Sequence, residues 1–338
     1  MTTTPVTRVV SGIQPTGSLH LGNLLGAILR WERMQHDAPC LFFLADLHSL
    51  SEAIPADSRR AQVRAMAAAL IASGIDPTKS ILFAQSDVPA HAELCWLLNG
   101  TARMGWLSRM TQWKDKSGKN KEGASVALFD YPVLQAADIL LYRASHVPVG
   151  EDQKQHIELT RDIAQKFNLD TGTDTFVLPE PYISTGTAAR VMSLRDGGAK
   201  MSKSDPSDMS RINLNDSDDE IATKVRKART DPEPLPGDPA LLDARPEARN
   251  LVGILAAIGG ETVADVLGRF EGQGFGSFKP VLAEALVALI APIRGRLTAL
   301  EGDPAHLDRL LDEGAQKAAA LARPTLLEAK RALGLGRG

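Results

Sequence analysis

The stretch "SGIQPTGSLHLGN", residues 11–23, decides how the rest of the chain is read. Three glycines and a proline surround one histidine, and the stretch ends on an asparagine. It follows the apolar "RVV" (8–10), which predicts a strand. It runs into "LGNLLGAILRWERM", where Leu21, Leu24, Leu25, Ile28 and Met34 recur at helical spacing. A strand-to-helix turn is therefore the minimum reading. Such a turn is also where an anion binds most cheaply: glycines permit close backbone approach, and a helix N-terminus offers unpaired N–H groups and a positive dipole end. Whether this turn holds a phosphate depends on what accompanies it.

Working outward, "CLFFLA" (40–45) is apolar throughout, as a strand covered on both faces would be. "SRRAQVRAMAAALIASG" predicts an alanine-rich helix, with Asp57 or Ser58 as its N-cap and Gly74 ending it. "SILFAQ" (80–85) reads as another buried strand. Strands and helices alternating at this spacing predict an α/β fold, a parallel sheet with helices on both faces. Residues 89–145 look helical, interrupted by the loop "KDKSGKNKEG" (114–123). "HVPVG" (146–150) predicts a short strand leading into a helix from about Gln153. Near residue 200 the composition changes. After a long polar loop, helical patterns at 216–228, 246–258, 262–270 and 278–300 predict a second, all-helical domain, with "DPEPLPGDPALLDARPE" (231–247) as a surface connection. A final helix, about 305–334, either returns to the first domain or extends the second.

Net charge is −3, which argues against a general polyanion binder, although a local basic face can still bind RNA. No run approaches the roughly eighteen consecutive apolar residues of a membrane span, and "MTTTPVTRVV" lacks the order of a signal peptide. Cys40 and Cys95 stand alone in apolar stretches; two buried thiols fit a reducing compartment, with no case for a zinc or iron–sulfur site.

"KMSKS", Lys200 to Ser204, changes the reading of the opening turn. Two lysines three apart, interleaved with serines and followed by Asp-Pro, make a mobile cationic loop suited to a phosphate that moves during reaction. Alone, such a loop is an ordinary solvated turn. No GxxxxGK[ST] occurs, which excludes a P-loop, and "GQGFG" (272–276) follows a helical pattern and reads as a loop.

An HxGH-like turn followed by KMSKS, flanking an α/β sheet, resembles the class I aminoacyl-tRNA synthetases. Here the first motif reads His20-Leu21-Gly22-Asn23, with Asn where the second His usually stands, as in the tryptophanyl branch. "YPVLQAADILLY" (131–142), "VPVGEDQKQHIELTRDIAQKFN" (147–168), "MSKSDP" (201–206) and "FEGQGFGSFK" (270–279) extend that resemblance to the bacterial members over nearly the whole chain. The resemblance implies a Rossmann-like catalytic domain over 1–200 with a helical insertion at about 89–145. It implies a helical anticodon-binding domain over 201–300 that starts with the KMSKS loop, and a C-terminal helix over 301–338. The implied reaction joins L-tryptophan to ATP and then to tRNA(Trp), in the cytoplasm, by a homodimer using ATP and Mg²⁺, with no DNA or membrane partner.

Residue by residue, the resemblance implies that His20, Gly22 and Asn23 meet the ATP phosphates, with Gln14 near the reacting centre. Lys200, Met201, Ser202 and Lys203 would hold the β- and γ-phosphates, and Lys116 would reach them from its loop. Gly150, Asp152 and Gln153 match the ribose and substrate-positioning segment, although Asp152 as an ordinary N-cap fits equally. Asp138, in an apolar helical stretch, needs a donor. An indole offers one N–H and no acceptor, and the resemblance makes Asp138 its partner; a neighbouring side chain would also satisfy it. Tyr131, Gln135 and Gln153 would meet the ammonium group, and Val10 and His48 would line the pocket. Gln135 departs from the tryptophanyl pattern and is typical of tyrosyl enzymes, which makes a tyrosyl synthetase the first alternative and an inert paralogue the second. No carboxylate cluster suggests a protein-held metal. Lys224, Arg226, Lys227 and Arg229, with Arg294 and Arg296, form either an RNA-binding face or a solvated charged one.

Overall fold

The computed structural model describes residues 8–117, 122–148, 154–182 and 190–336. Five parallel strands form one sheet: β1 (Val9–Ile13), β2 (Cys40–Leu44), β3 (Ile81–Ala84), β4 (His146–Pro148) and β5 (Glu180–Tyr182), in the order β3-β2-β1-β4-β5. The order reverses between β1 and β4, and in open α/β sheets ligands bind outside the carboxyl ends of the strands at that switch point. The turn at residues 14–20 leaves β1 there.

Strand residues alternate between two cores because successive side chains point to opposite faces. Val10, Leu41, Phe43 and Phe83 pack against α4 (Ala90–Asn99), α7 (Val126–Leu140) and α8 (Lys154–Thr171). Val9, Phe42, Leu44 and Leu82 face α2 (Leu29–Asp37) and α3 (Ala56–Ala72). On that side Trp31 stacks on Phe42 with ring centroids 5.0 Å apart. A third core joins α9 (Asp218–Lys227), α10 (Pro246–Gly259), α11 (Val263–Phe270) and the first half of α12 (Phe275–Glu301).

α12 belongs to two cores: Phe278, Leu282, Leu286 and Ile290 enter the helical one, while Ile293 and Leu297 enter the sheet core beside α3. By length and composition α12 would pass for a membrane span, but those six side chains are buried in protein. The last helix, α13 (Pro304–Ala332), returns to the sheet: Leu307 and Leu311 join one sheet core, Ala318, Ala322 and Ala329 the other. It lies so close to β3 that a Cβ on Gly314 would sit 1.8 Å from the Leu82 carbonyl oxygen.

Local details differ from expectation. α3 starts at Ala56 behind Pro55, so Asp57 and Ser58 lie within its first turn and do not cap it; Gly74 follows its end at φ +111°. The expected loop from 114 is still helix up to Ser117 in α6 (Thr111–Ser117), whose Trp113 packs edge-on against Phe129 at 4.8 Å. Leu24–Ile28 form a π-helical turn ahead of α2. β5 carries no readable pattern, being three half-buried residues at the sheet edge.

Candidate active site

Near the end of β1, Gly12 is pressed on Phe43, where a Cβ would lie 2.4 Å from the ring, and Gly17 turns the chain at φ +62°. Gln14 is exposed between them, and His20 is buried. His20 caps α1 (Leu21–Asn23): its Nδ1 accepts the Gly22 N–H at 3.1 Å, while the Asn23 Oδ1 accepts the His20 N–H at 3.2 Å. With Nδ1 an acceptor, the neutral ring carries its proton on Nε2. Burial, reinforced by Lys203, Arg211 and Lys200, lowers the His20 pKa to about 4. His20 is thus a neutral donor at physiological pH, and Asn23 is spent partly on holding the turn's shape.

The KMSKS segment is tied to this turn. Met192 and Lys200 form an antiparallel bridge, with Ser193 N–H donating to Ala199 O (2.8 Å) and Met201 N–H to Val191 O (3.1 Å). Met192's own N–H and C=O are taken by the buried amide of Asn250 on α10, at 2.9 and 3.0 Å. Buried Met201 packs towards Gly22, whose added Cβ would lie 3.5 Å from Met201 Cβ. The Lys203 ammonium donates to the Thr16 and Gly17 carbonyls, at 2.5 and 3.4 Å. Burial lowers its pKa to about 8. Further on, Leu21 N–H donates to Ile212 O (2.8 Å) and Leu214 N–H to Leu19 O (3.2 Å), strapping the two segments together. Lys200 is exposed, and Ser202 pairs with Ser204 through their hydroxyls at 2.8 Å.

A second cluster surrounds Asp138. Its Oδ1 accepts Gln85 Nε2 and His91 Nδ1, both at 2.6 Å, and its Oδ2 accepts His48 Nε2 at 2.7 Å. His91 Nε2 lies 2.7 Å from the Tyr142 hydroxyl. Burial alone would raise the Asp138 pKa, but His48 and His91 hold it at about 2, so the carboxylate is ionised. The donor that a buried Asp138 needs is supplied by neighbouring side chains, the alternative the sequence leaves open beside an indole: three of them donate one bond each. Tyr131 hydrogen-bonds His156 at 2.6 Å and stands edge-on to His48, while Gln135 is half-buried and Val10 fully buried in β1.

His48 follows β2, Gln85 follows β3 and His20 follows β1, so both clusters sit at the carboxyl ends of the strands. A cavity of about 350 Å³ adjoins the turn at Gly17, Ser18 and Leu19; another, of about 840 Å³ beside Trp96, is lined by none of these residues. Gly150, Asp152 and Gln153 lie outside the described residues, and of Lys116 only the backbone, in α6, is described. The basic face is smaller than expected. Lys224 is buried between Asp208 and Asp216, 2.6 Å from each. Arg294 binds Asp216 O and Asp218, and Arg296 binds Ala72 O, so both tie α12 to its neighbours. Arg226, Lys227 and Arg229 remain exposed.

Gln85, His91, Tyr142 and Asn250 were not read from the sequence as site residues. Only Tyr142 carries a usable signal, its i, i+4 spacing from Asp138; the others reach their partners across the fold.

The family model for tRNA synthetases class I (W and Y) matches residues 2–291. The tryptophan–tRNA ligase of Caulobacter vibrioides is 59% identical over 97% of this chain and 95% of its own, and that of Mesorhizobium japonicum 52% identical over 98% of each. Among solved structures, the Campylobacter jejuni tryptophanyl-tRNA synthetase complexed with ADP and tryptophan covers 97% of this chain and 100% of its own, at 34% identity and TM-score 0.81. The Mycoplasma pneumoniae enzyme covers 98% of each chain at 33% identity and TM-score 0.86. A tyrosyl-tRNA synthetase from Archaeoglobus fulgidus shares the fold at 20% identity and TM-score 0.64. Gln135 therefore stands as a local departure and does not move the chain to the tyrosyl side: the chain belongs to the class I tRNA synthetases of the tryptophan and tyrosine group, in its bacterial tryptophan–tRNA ligase branch.

Proposed function

We propose that the two strapped segments form the ATP phosphate site, and the Asp138 cluster the indole site, of a tryptophan–tRNA ligase. The observation that carries this reading is Lys203 resting on the Thr16 and Gly17 carbonyls beside His20, which brings the two lysine- and histidine-bearing motifs to one point. In the first step a tryptophan carboxylate oxygen bonds to the α-phosphorus of ATP, and the bond to the β-phosphate oxygen breaks to release pyrophosphate. In the second, a ribose hydroxyl of the tRNA end attacks the activated carbonyl and AMP leaves. No protein nucleophile is needed, so alignment and charge stabilisation are the catalytic work.

His20 Nε2–H donates to a phosphate oxygen without adding charge, and Gly22 lets the phosphate approach the backbone. Lys203 leaves its carbonyls for the β- and γ-phosphates, joined by Lys200 and Ser202, while Met201, its N–H bonded to Val191 O, packs this segment towards Gly22. Gln14 lies near the reacting carboxylate, Asn23 holds the turn, and Gly150, Asp152, Gln153 and Lys116 complete the ATP contacts. Mg²⁺ would be held by the phosphates and would neutralise part of their charge; among the described residues no group of three or more His, Cys, Asp or Glu side chains is arranged to hold an ion. Asp138 accepts the indole N–H, His48 and Val10 line the ring pocket, and Tyr131 and Gln135 meet the ammonium group. The tRNA uses the exposed Arg226, Lys227 and Arg229. The protein works in the cytoplasm as a homodimer, for which exposed Trp96, Met104 and Val126 provide apolar contact surface.

Tryptophan-dependent ATP–pyrophosphate exchange by the purified chain tests this reading. Exchange with tryptophan and not tyrosine is expected. Exchange with tyrosine alone would overturn the substrate, and none with either would point to an inert paralogue.

A further inference from the structure

The Asp138 carboxylate offers roughly four acceptor positions, two on each oxygen. Gln85 Nε2 and His91 Nδ1 occupy both positions of Oδ1, and His48 Nε2 occupies one of Oδ2. We propose that His91, through its bond to Asp138, is a positioning residue that sets tryptophan specificity: among the described residues the carboxylate keeps one acceptor position, on Oδ2 beside His48. This rests on the indole reading of Asp138 given above.

Each partner can play only one part. An ionised carboxylate accepts only, so His48 and His91 must present N–H to it. His91 Nδ1–H is committed to Asp138, and its Nε2 meets the Tyr142 hydroxyl at 2.7 Å. Burial and the nearby Asp138 charge raise the Tyr142 pKa, which keeps that hydroxyl protonated. The carboxylate likewise fixes the Gln85 amide, turning Nε2 inward although its Oε1 is then buried without a partner. Tyr142, His91 and Gln85 are almost wholly buried, so the geometry is held by packing on α4, α7 and β3. The remaining acceptor position on Oδ2 takes one donor and offers none. An indole, with one N–H and no acceptor, satisfies it. A phenol also donates, but its oxygen would bring lone pairs to a place where the neighbouring protons are already committed, and unpaired polar groups are what such sites reject most strongly.

The test uses the full-length chain in tryptophan-dependent pyrophosphate exchange, with melting temperatures measured in parallel. His91→Leu should raise the KM for tryptophan about 10- to 100-fold, leave kcat and the KM for ATP nearly unchanged, and narrow the preference over tyrosine. His91→Asn places an amide N–H near the former Nδ1 and should recover most of the loss. A packing role alone predicts the opposite order, since Leu fills the space better and adds no buried amide. Asn as impaired as Leu, or a fall in kcat with both KM values rising together, would overturn the proposal. If His91→Leu does not fold, Tyr142→Phe keeps the packing and removes only the oxygen that orients the ring. It should raise the tryptophan KM severalfold, and no change would count against the proposal. Asp138→Asn separates the two readings. If it leaves the tryptophan KM untouched, the indole assignment fails and this inference with it. If it raises that KM while His91→Leu does not, only the inference about His91 fails.

Discussion

At the scale of single residues, two titrating groups make the proposed phosphate site sensitive to pH in opposite windows. His20 has a folded pKa of about 4 against 6.5 for the free side chain. Between those values the unfolded chain binds a proton that the folded chain does not, so stability rises with pH across that window and is fully present above it. Urea unfolding at pH 4.5 and 7 should differ by up to about 3 kcal/mol from this group, and His20→Gln should remove that part of the difference. Lys203 is lowered to about 8 while it rests on the turn. Phosphate charges would raise it again, so ATP binding near pH 9 should take up close to one proton. Calorimetry in buffers of different ionisation enthalpy would measure the uptake, and Lys203→Met should abolish it. Equal uptake in that variant would assign the proton elsewhere.

At the scale of elements, two helical glycines should respond oppositely to the same change. Gly314 lets α13 touch the backbone of β3, and neither backbone can step aside for a Cβ 1.8 Å from Leu82 O. Gly314→Ala should cost at least about 1–3 kcal/mol, the usual range for overpacking. Gly295 lies exposed inside α12 with nothing within 4 Å of an added Cβ. Gly295→Ala should gain up to about 1 kcal/mol from helix propensity. Denaturant midpoints of the two variants check both signs. The reason is packing and not composition, since each is a glycine in the middle of a long helix.

At the scale of the whole molecule, α12 and α13 prevent the parts from standing alone. α12 carries one end in the helical core and the other against α3, and α13 then covers both faces beside β3. A chain ended after Asp303 would expose the apolar surface that Leu307, Leu311, Ala318 and Ala322 now cover. It should lose cooperative unfolding altogether, as followed by near-ultraviolet circular dichroism during a urea titration. A sharp transition near the full-length midpoint would show that α13 is an appendage.

The sequence by itself determined the elements whose cause is local. The alternation of apolar strands with periodic helices predicts the parallel sheet, and the glycines of residues 12–22 predict the turn, because periodicity and backbone freedom are properties of neighbouring residues. The expected polar loop at KMSKS was legible for the same reason, as were the helical patterns after residue 216. Tertiary structure alone decided which polar groups satisfy one another. His48, Gln85 and His91 reach Asp138 across separations of 90, 53 and 47 residues, and Lys203 meets Thr16 across 187. Lys224, which the sequence places on either an RNA-binding or a solvated charged face, is on neither and lies buried between two aspartates. A buried charge is settled by whatever the fold brings beside it, and hydrogen bonds act over about 3 Å, whatever distance along the chain separates the partners.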